Sequence, residues 1–437
     1  MEPSDPSAHE RAEGGKKSQI QSDNMSISQP GSKEEKSDQI VEANPLASVA
    51  SLPCSKFLTS QHGDTSFPEG PVEPATLLSE VKQEPYNLPS QYEWTTCDLK
   101  SDDMCTELYN FLKLHFGTGQ LFQETYSMEL LRWALCPPGY YQSWHIGVRV
   151  TTSKKLVAFI SGVPERIRVH DEVVKFAKIN TLCVHKKLRS KKLASVMIKE
   201  VTRRVHLQDI WQAAYSLPDI RAKPASSIVC HCEYWLRMLN PKKLMDVEFT
   251  SGGHDKVKTR MTIKLYKLPD APITPGFRGM ELRDVPAVTG LLRNYLRQFG
   301  VATDFDENDV KHWLLPRKDV VHSYVVECPE THDVTDFCSF YSVSLSIDKN
   351  LEYKTVECAY SYYNVATKTS LPQLMNDALI VSKQKGFDVF YALDVMHNES
   401  FVKELKFYRG DSQMQYYYLY NYRLRSALTP SQFGLVF

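Results

Sequence analysis

Twice along the chain the same succession of patterns occurs, and a duplicated α/β order constrains the fold more than any single motif. In the first copy residues 92–97 read as a strand, 98–102 as a polar turn with capping candidates, and 104–116 as a helix with Leu108, Leu112 and Phe116 on one face. In the second, residues 277–282 are the strand, Asp284 the cap, and 285–299 a helix carrying Val288, Leu291, Leu292, Tyr295 and Leu296. A hairpin pattern follows in each, over 148–163 and over 324–343. Each copy then repeats a strand and a helix: 179–184 before an apolar stripe of Leu193, Met197, Val201 and Val205, and 357–365 before a helix over about 371–385.

The copies differ at the turn between that strand and its helix. In the first, Lys186, Lys187, Arg189, Lys191 and Lys192 crowd the turn; in the second the corresponding stretch is Ala366-Thr-Lys-Thr-Ser. A strand opening onto a helix start leaves backbone N–H groups aimed at one point, and added cations make it an anion cradle, most naturally for a diphosphate. The alternative is a solvated charged face, the usual fate of a charge run at a helix start; but a helix N-terminus favours Asp or Glu, so cations there cost energy unless an anion binds.

At this turn the chain resembles the N-myristoyltransferases (glycylpeptide N-tetradecanoyltransferases). Their first signature, Glu-Ile-Asn-Phe-Leu-Cys-x-His-Lys, is similar to residues 178–186, with Lys178 and Thr181 as departures; the second, Lys-Phe-Gly-x-Gly-Asp-Gly, is similar to 406–412. Trp133-Ala-Leu-x-Pro-Pro-Gly-Tyr, Gln142-Ser-Trp-His, Tyr360-Ser-Tyr-Tyr-Asn-Val and Gly386-Phe-Asp-Val-Phe extend the likeness over about residues 70–437. The resemblance implies a pseudo-twofold pair of acetyltransferase-like (GNAT-type) halves behind a disordered tail: 1–50 the tail, 51–268 the acyl-CoA half, 269–437 the peptide half.

It also implies an activity, transfer of myristoyl from myristoyl-CoA to the N-terminal glycine amine of proteins by direct attack. Myristoyl-CoA is then a co-substrate, and no cofactor is bound permanently. By the same resemblance, the backbone N–H groups of Thr181 and Leu182 hold the oxyanion, and the main-chain carboxylate of Phe437 is the general base. Asn180 and Ser216 help to hold the glycine ammonium, and Tyr234, Tyr360 and Asp411 contact the peptide. Lys56 and Phe57, with Arg189, Ser190, Lys191, Lys192 and Leu193, hold the acyl-CoA. The chain ends one residue earlier than the family pattern, about 3.3 Å of reach. Leu236 stands where the family has a peptide-contacting His, and the loop after Phe116 retains only Glu124 of an acidic cluster. These departures set a second expectation beside the first: a divergent paralogue that binds acyl-CoA or peptide but transfers weakly or not at all. A third, acetyl transfer to another amine, would need a smaller pocket.

Composition restricts the remaining classes. Lys and Arg number 52 and Asp and Glu 52, which argues against a polyanion as main ligand and for a local charged site. Residues 1–50 are rich in Ser, Lys, Glu, Gln, Asp and Pro and cannot bury enough surface to order themselves, leaving a tail with a conceivable ribosome contact. Ten cysteines without a repeated spacing, and no apolar leader or run of the roughly 20 residues needed to span a bilayer, suit a cytoplasmic monomer. Cys183 and His185 share a strand face and could mimic a catalytic pair, but buried strand cysteines are common. Cys230-His-Cys232 lacks a second ligand pair at zinc spacing, so no metal is expected. Tyrosines 416–422 read as a strand packing one aromatic face, and the absence of a basic stripe leaves no nucleic-acid site.

Overall fold

The computed structural model describes residues 68–116, 122–218, 228–249, 256–347 and 352–437, with backbone alone at 122–123, 256 and 410–413. Residues 68–91 contain only β1 (Gly70–Pro71) and no helix, as their prolines dictate. They wrap the first half. The Tyr86 N–H donates to Glu200 at 3.1 Å, and Arg203 donates to the carbonyls of Lys82 and Gln83 at 3.2 and 2.8 Å. Burial opposes the Glu200 charge, but hydrogen bonds from Arg203, Arg204 and that N–H hold its pKa below the usual carboxylate value.

The first half contains β2 (Tyr92–Thr96), α1 (Asp102–His115), β3 (Phe122–Thr125), α2 (Met128–Leu135), β4 (Ile146–Val150) and β5 (Leu156–Val169). It continues through β6 (Glu172–Val184), α3 (Leu193–His206), β7 (Gln212–Leu217) and β8 (Ile228–Met238). Between the halves lie α4 (Pro241–Asp246) and α5 (Lys256–Leu265). The second half holds β9 (Phe277–Gly279), α6 (Val285–Leu296), β10 (Val301–Thr303), α7 (Glu307–Trp313), β11 (Val321–Glu327), β12 (Val334–Ile347) and β13 (Thr355–Val365). After these come α8 (Leu371–Gln384), β14 (Val389–Leu393), α9 (Glu399–Glu404), β15 (Tyr408–Tyr420), β16 (Tyr422–Arg423) and β17 (Phe433–Gly434).

The duplication is explicit in the pairing. In one half β4–β5–β6 is antiparallel and β6–β7 parallel; in the other β11–β12–β13 is antiparallel and β13–β14 parallel. The last strands are exchanged: β15 pairs with β7, β8 pairs with β14, and β8 and β15 join antiparallel at the centre. One fifteen-stranded sheet results among the described residues. Helix α3 buries Met197, Val201 and Val205 on one side of it, and α8 buries Leu374, Ala378 and Val381 in the other half.

Three expectations are corrected. Strand β6 begins at Glu172, not Ile179, because its exposed outer half alternates with polar residues that hide the pattern. Strand β9 stops at Gly279, and Asp284 stands at the N-cap position of α6, its carboxylate accepting from the Glu281 N–H, as half of the capping box of the 3₁₀ turn Leu282–Asp284, and from Arg278. As expected, the basic turn leads straight into α3: Lys186–Lys191 form a 3₁₀ turn, Lys192 adopts φ 57°, and the helix begins at Leu193. The tyrosine strand buries both faces rather than one. As a central strand, β15 puts Tyr417 against Phe433 and Phe437, and stacks the next residue, Tyr418, on Tyr215 at 5.1 Å.

Candidate active site

Strands β6 and β7 pair only from Phe176 to Lys178 and from Gln212 to Ala214. Beyond that, β7 turns to β15, and no described strand covers this edge of β6. At the same place the β5–β6 ladder slips: Ser161 faces Thr181 but Gly162 faces Ile179, so Asn180 is an extra, bulged residue. Its Nδ2 donates to the Ala134 carbonyl at 3.1 Å, tying the bulge to α2. The buried Ser161 hydroxyl beside it has no hydrogen-bond partner among the described residues. The divergence opens an apolar cleft lined by Ile160, Ile179, Leu182, Val201, Val205 and Ala213. Thr181 and Leu182 therefore sit where an uncovered strand edge meets an apolar hollow, an arrangement that can offer N–H groups to an oxygen while taking an alkyl chain.

Toward its other end β6 meets the chain terminus. Strand β17 pairs parallel with β10, which pairs with β5. Leu435 and Val436 are buried. The Phe437 ring lies 5.2 Å from Lys178 Nζ, which is also 5.0 Å from the Trp313 ring. Lys178 forms a buried ion pair with Glu165 at 2.9 Å. Thr303 Oγ1 donates to Glu165 at 2.9 Å and lies 3.0 Å from the Tyr363 hydroxyl, which donates to the Gly434 carbonyl at 3.4 Å. A chain of contacts thus runs from Lys178 to both ends of the terminal segment.

An aromatic wall leads away from this point. Trp313 packs edge-on against Trp133 at 5.1 Å, Trp133 meets Tyr341 at 5.9 Å, and Tyr341 stacks on Tyr360 at 5.3 Å. Tyr360 stacks on Tyr391 at 4.6 Å, with Tyr234 edge-on to both. Burial raises the pKa of Tyr341, Tyr360 and Tyr391, so their hydroxyls stay protonated donors. Glu124, an exposed residue, accepts from Tyr126 beside this wall. Opposite β14, Leu236 packs with Met238, Leu345, Val356 and Val389, so its aliphatic side chain faces apolar neighbours.

Asn180, Thr181 and Leu182 lie on β6, the Phe437 ring reaches that strand at Lys178, and Tyr234 and Tyr360 lie on the wall. Ser216 lies on β7 opposite Tyr417 and accepts from Gln415 at 2.6 Å. The basic turn stands apart, at the far end of β6. There Arg189 is engaged within the protein, donating to the His115 carbonyl at 2.6 Å at the end of α1. Ser190, Lys191 and Lys192 are exposed, and α3 starts at Leu193 without a side-chain cap. Lys56 and Phe57 lie outside the described residues, as does the Asp411 side chain. Burial pushes the Cys183 thiol up to about 12, and His185 Nδ1 accepts from the Lys187 N–H, so the two form no nucleophile and base. Among the described residues no group of three His, Cys, Asp or Glu could hold a metal ion. Sequence reasoning missed Lys178, Glu165, Trp313, Tyr341 and Tyr391. Only the departure at Lys178 flagged any of them.

Two halves with exchanged strands, a bulged strand beside an apolar cleft and an uncapped helix behind a basic turn define a duplicated α/β fold with one open, ligand-sized site. Family models go further. "Myristoyl-CoA:protein N-myristoyltransferase, N-terminal domain" matches residues 71–229, and the corresponding C-terminal domain matches 246–436. Glycylpeptide N-tetradecanoyltransferase 1 of Arabidopsis thaliana is 67% identical over 94% of this chain and 98% of its own. Glycylpeptide N-tetradecanoyltransferase 2 of Danio rerio is 42% identical over 97% and 87%. The crystal structure of Saccharomyces cerevisiae N-myristoyltransferase with bound myristoyl-CoA superposes with a TM-score of 0.79 at 33% identity, covering 85% of this chain and 95% of that one. The chain belongs to the N-myristoyltransferase family.

Proposed function

We propose that this chain transfers myristoyl from myristoyl-CoA to the N-terminal glycine of proteins, the first half (51–268) holding the acyl-CoA and the second (269–437) the peptide. The observation that carries this is the meeting of three features at β6: the cleft, the bulge at Asn180 and the chain terminus beside Lys178. The alkyl chain enters the cleft, where each buried methylene is worth about 0.8 kcal/mol. The thioester oxygen meets the N–H groups of Thr181 and Leu182. The exposed turn and the start of α3, with Ser190, Lys191, Lys192 and Leu193, face the diphosphate, while Arg189 holds the turn against α1. Lys56 and Phe57 complete the acyl-CoA contacts.

The glycine amine lies between Asn180, Ser216 and Phe437, and the peptide follows the wall of Tyr234 and Tyr360 toward Asp411. The amine nitrogen attacks the thioester carbon, the Phe437 carboxylate takes the amine proton, the C–S bond breaks and the CoA sulfur leaves and is protonated. A free α-amine titrates near 7.7–8.0 and an α-carboxyl near 3.3–3.7, a gap of about four units, so the base must be held close by the network through Lys178, Glu165 and Tyr363. Transfer is favoured over binding alone by the transferase relatives.

A reducing cytoplasm fits the nine described cysteines, all free even where Cys230 and Cys232 approach to 3.5 Å. Action as a monomer, with a tail that contacts the ribosome, belongs to the same proposal and rests on composition. Purified chain, myristoyl-CoA and a Gly-terminated peptide should release CoA in step with a peptide mass gain of one acyl group. Binding of both without release would overturn the reading.

A further inference from the structure

We infer that α5 is an interfacial helix that docks the enzyme on anionic membrane. Val257, Met261 and Leu265 recur at every fourth residue and are 65%, 68% and 50% exposed. Ile263, 43% exposed, lies about 160° around the helix from Met261 and is not part of this stripe. The seat of α5 on the body is Tyr266, the residue just after its end, which stacks on Arg237 at 4.5 Å and packs in the cluster of Leu236 and Val247; no described residue of the helix itself is buried. By helical geometry the Val257–Met261–Leu265 stripe points away from that seat. Lys258 flanks the stripe on one side and Arg260 and Lys264 on the other, all with exposed side chains, and Lys267 follows. No Asp or Glu occurs from 256 to 267.

An outward apolar stripe between two cationic flanks suits one occupant, the headgroup layer of an anionic bilayer, in which apolar residues enter the acyl boundary and cations meet lipid phosphate and carboxylate. An acidic protein or RNA would use the cations but leave the stripe in water. The inference stands independently of the transferase reading.

The test is sedimentation of the full chain with vesicles of pure phosphatidylcholine and with vesicles containing 30 mol% (about a third) phosphatidylserine. Binding is expected to the second and to weaken with salt. Lys258→Glu/Arg260→Glu/Lys264→Glu should weaken it roughly a hundredfold or more, at about fivefold per cation before any repulsion. Met261→Asp/Leu265→Asp should abolish it while leaving the thermal melt in place, since both side chains face solvent. Absence of vesicle binding at low salt would overturn the inference. So would loss with the charge variant alone, or competition by RNA that the Asp variant does not alter.

Discussion

The two strand-to-helix turns are copies of one device put to different uses. In the second half the N–H groups of Thr367, Lys368 and Thr369 donate to Asp336 Oδ1 at 2.6, 2.9 and 3.2 Å, and Asp336 is fully buried. The second turn closes on an anion of its own chain. In the first half the equivalent turn carries exposed Lys191 and Lys192 and an uncapped helix. Strand bulges show the same contrast. On β13 the Ser339 hydroxyl donates to the Tyr363 carbonyl and accepts its N–H, filling the bulge, and Tyr363 then reaches Gly434. On β6 the bulge at Asn180 opens onto a cleft, beside a Ser161 hydroxyl with no partner among the described residues. A fold that satisfies its anion site and bulge internally in one copy gains a rigid scaffold; leaving both open in the other copy creates a place for a ligand that brings a diphosphate and an alkyl chain.

The contrast can be broken at its most sensitive point by deleting Phe437, which should lower turnover by about 10²–10⁴-fold with little change in acyl-CoA affinity, read by single-turnover CoA release. Appending one residue after Phe437 separates reach from chemistry: turnover should change while the melt does not. Next in size, Ala213→Phe puts a ring into the open cleft and displaces about four methylenes, at roughly 3 kcal/mol, so competition between C14 and C10 acyl-CoA should swing by about a hundredfold toward the shorter chain. Asp336→Ala removes the internal anion and should cost about 1–3 kcal/mol in denaturant unfolding, by taking the buried acceptor from three half-buried N–H groups. Burial lowers His145 to about 4 from an ordinary value near 6.5. Because the unfolded chain binds the proton first, stability is complete above pH about 6.5 and falls as pH drops toward 4. Calorimetric melts should show this loss, smaller in His145→Gln.

The duplicated order of strands and helices, the α3 stripe and the basic turn were legible because periodicity and charge are local properties. The exchange of β8 and β15 was not, since nothing in Cys230–Met238 or in the tyrosine run states which half it joins. Tyr417 and Tyr418 mark the limit: adjacent tyrosines satisfy an alternating pattern on either face, and only a central position buries both. Asn180, Thr181 and Leu182 were found through resemblance, but the bulge that sets them apart depends on register with β5. Lys178 illustrates the remainder, for its partners Glu165, Trp313 and Phe437 come from three distant segments. Arg189 was legible as a cation of the turn, yet its hydrogen bond to His115 depends on where α1 ends.

Calorimetric titration of myristoyl-CoA into the full chain, Lys191→Glu/Lys192→Glu and Asp336→Asn tests the open-versus-closed contrast directly. The account predicts that the lysine reversals weaken binding at least about tenfold without lowering the melt, while Asp336→Asn lowers the melt and leaves binding intact. Unchanged affinity in the lysine variant, together with weakened affinity in Asp336→Asn, would contradict it.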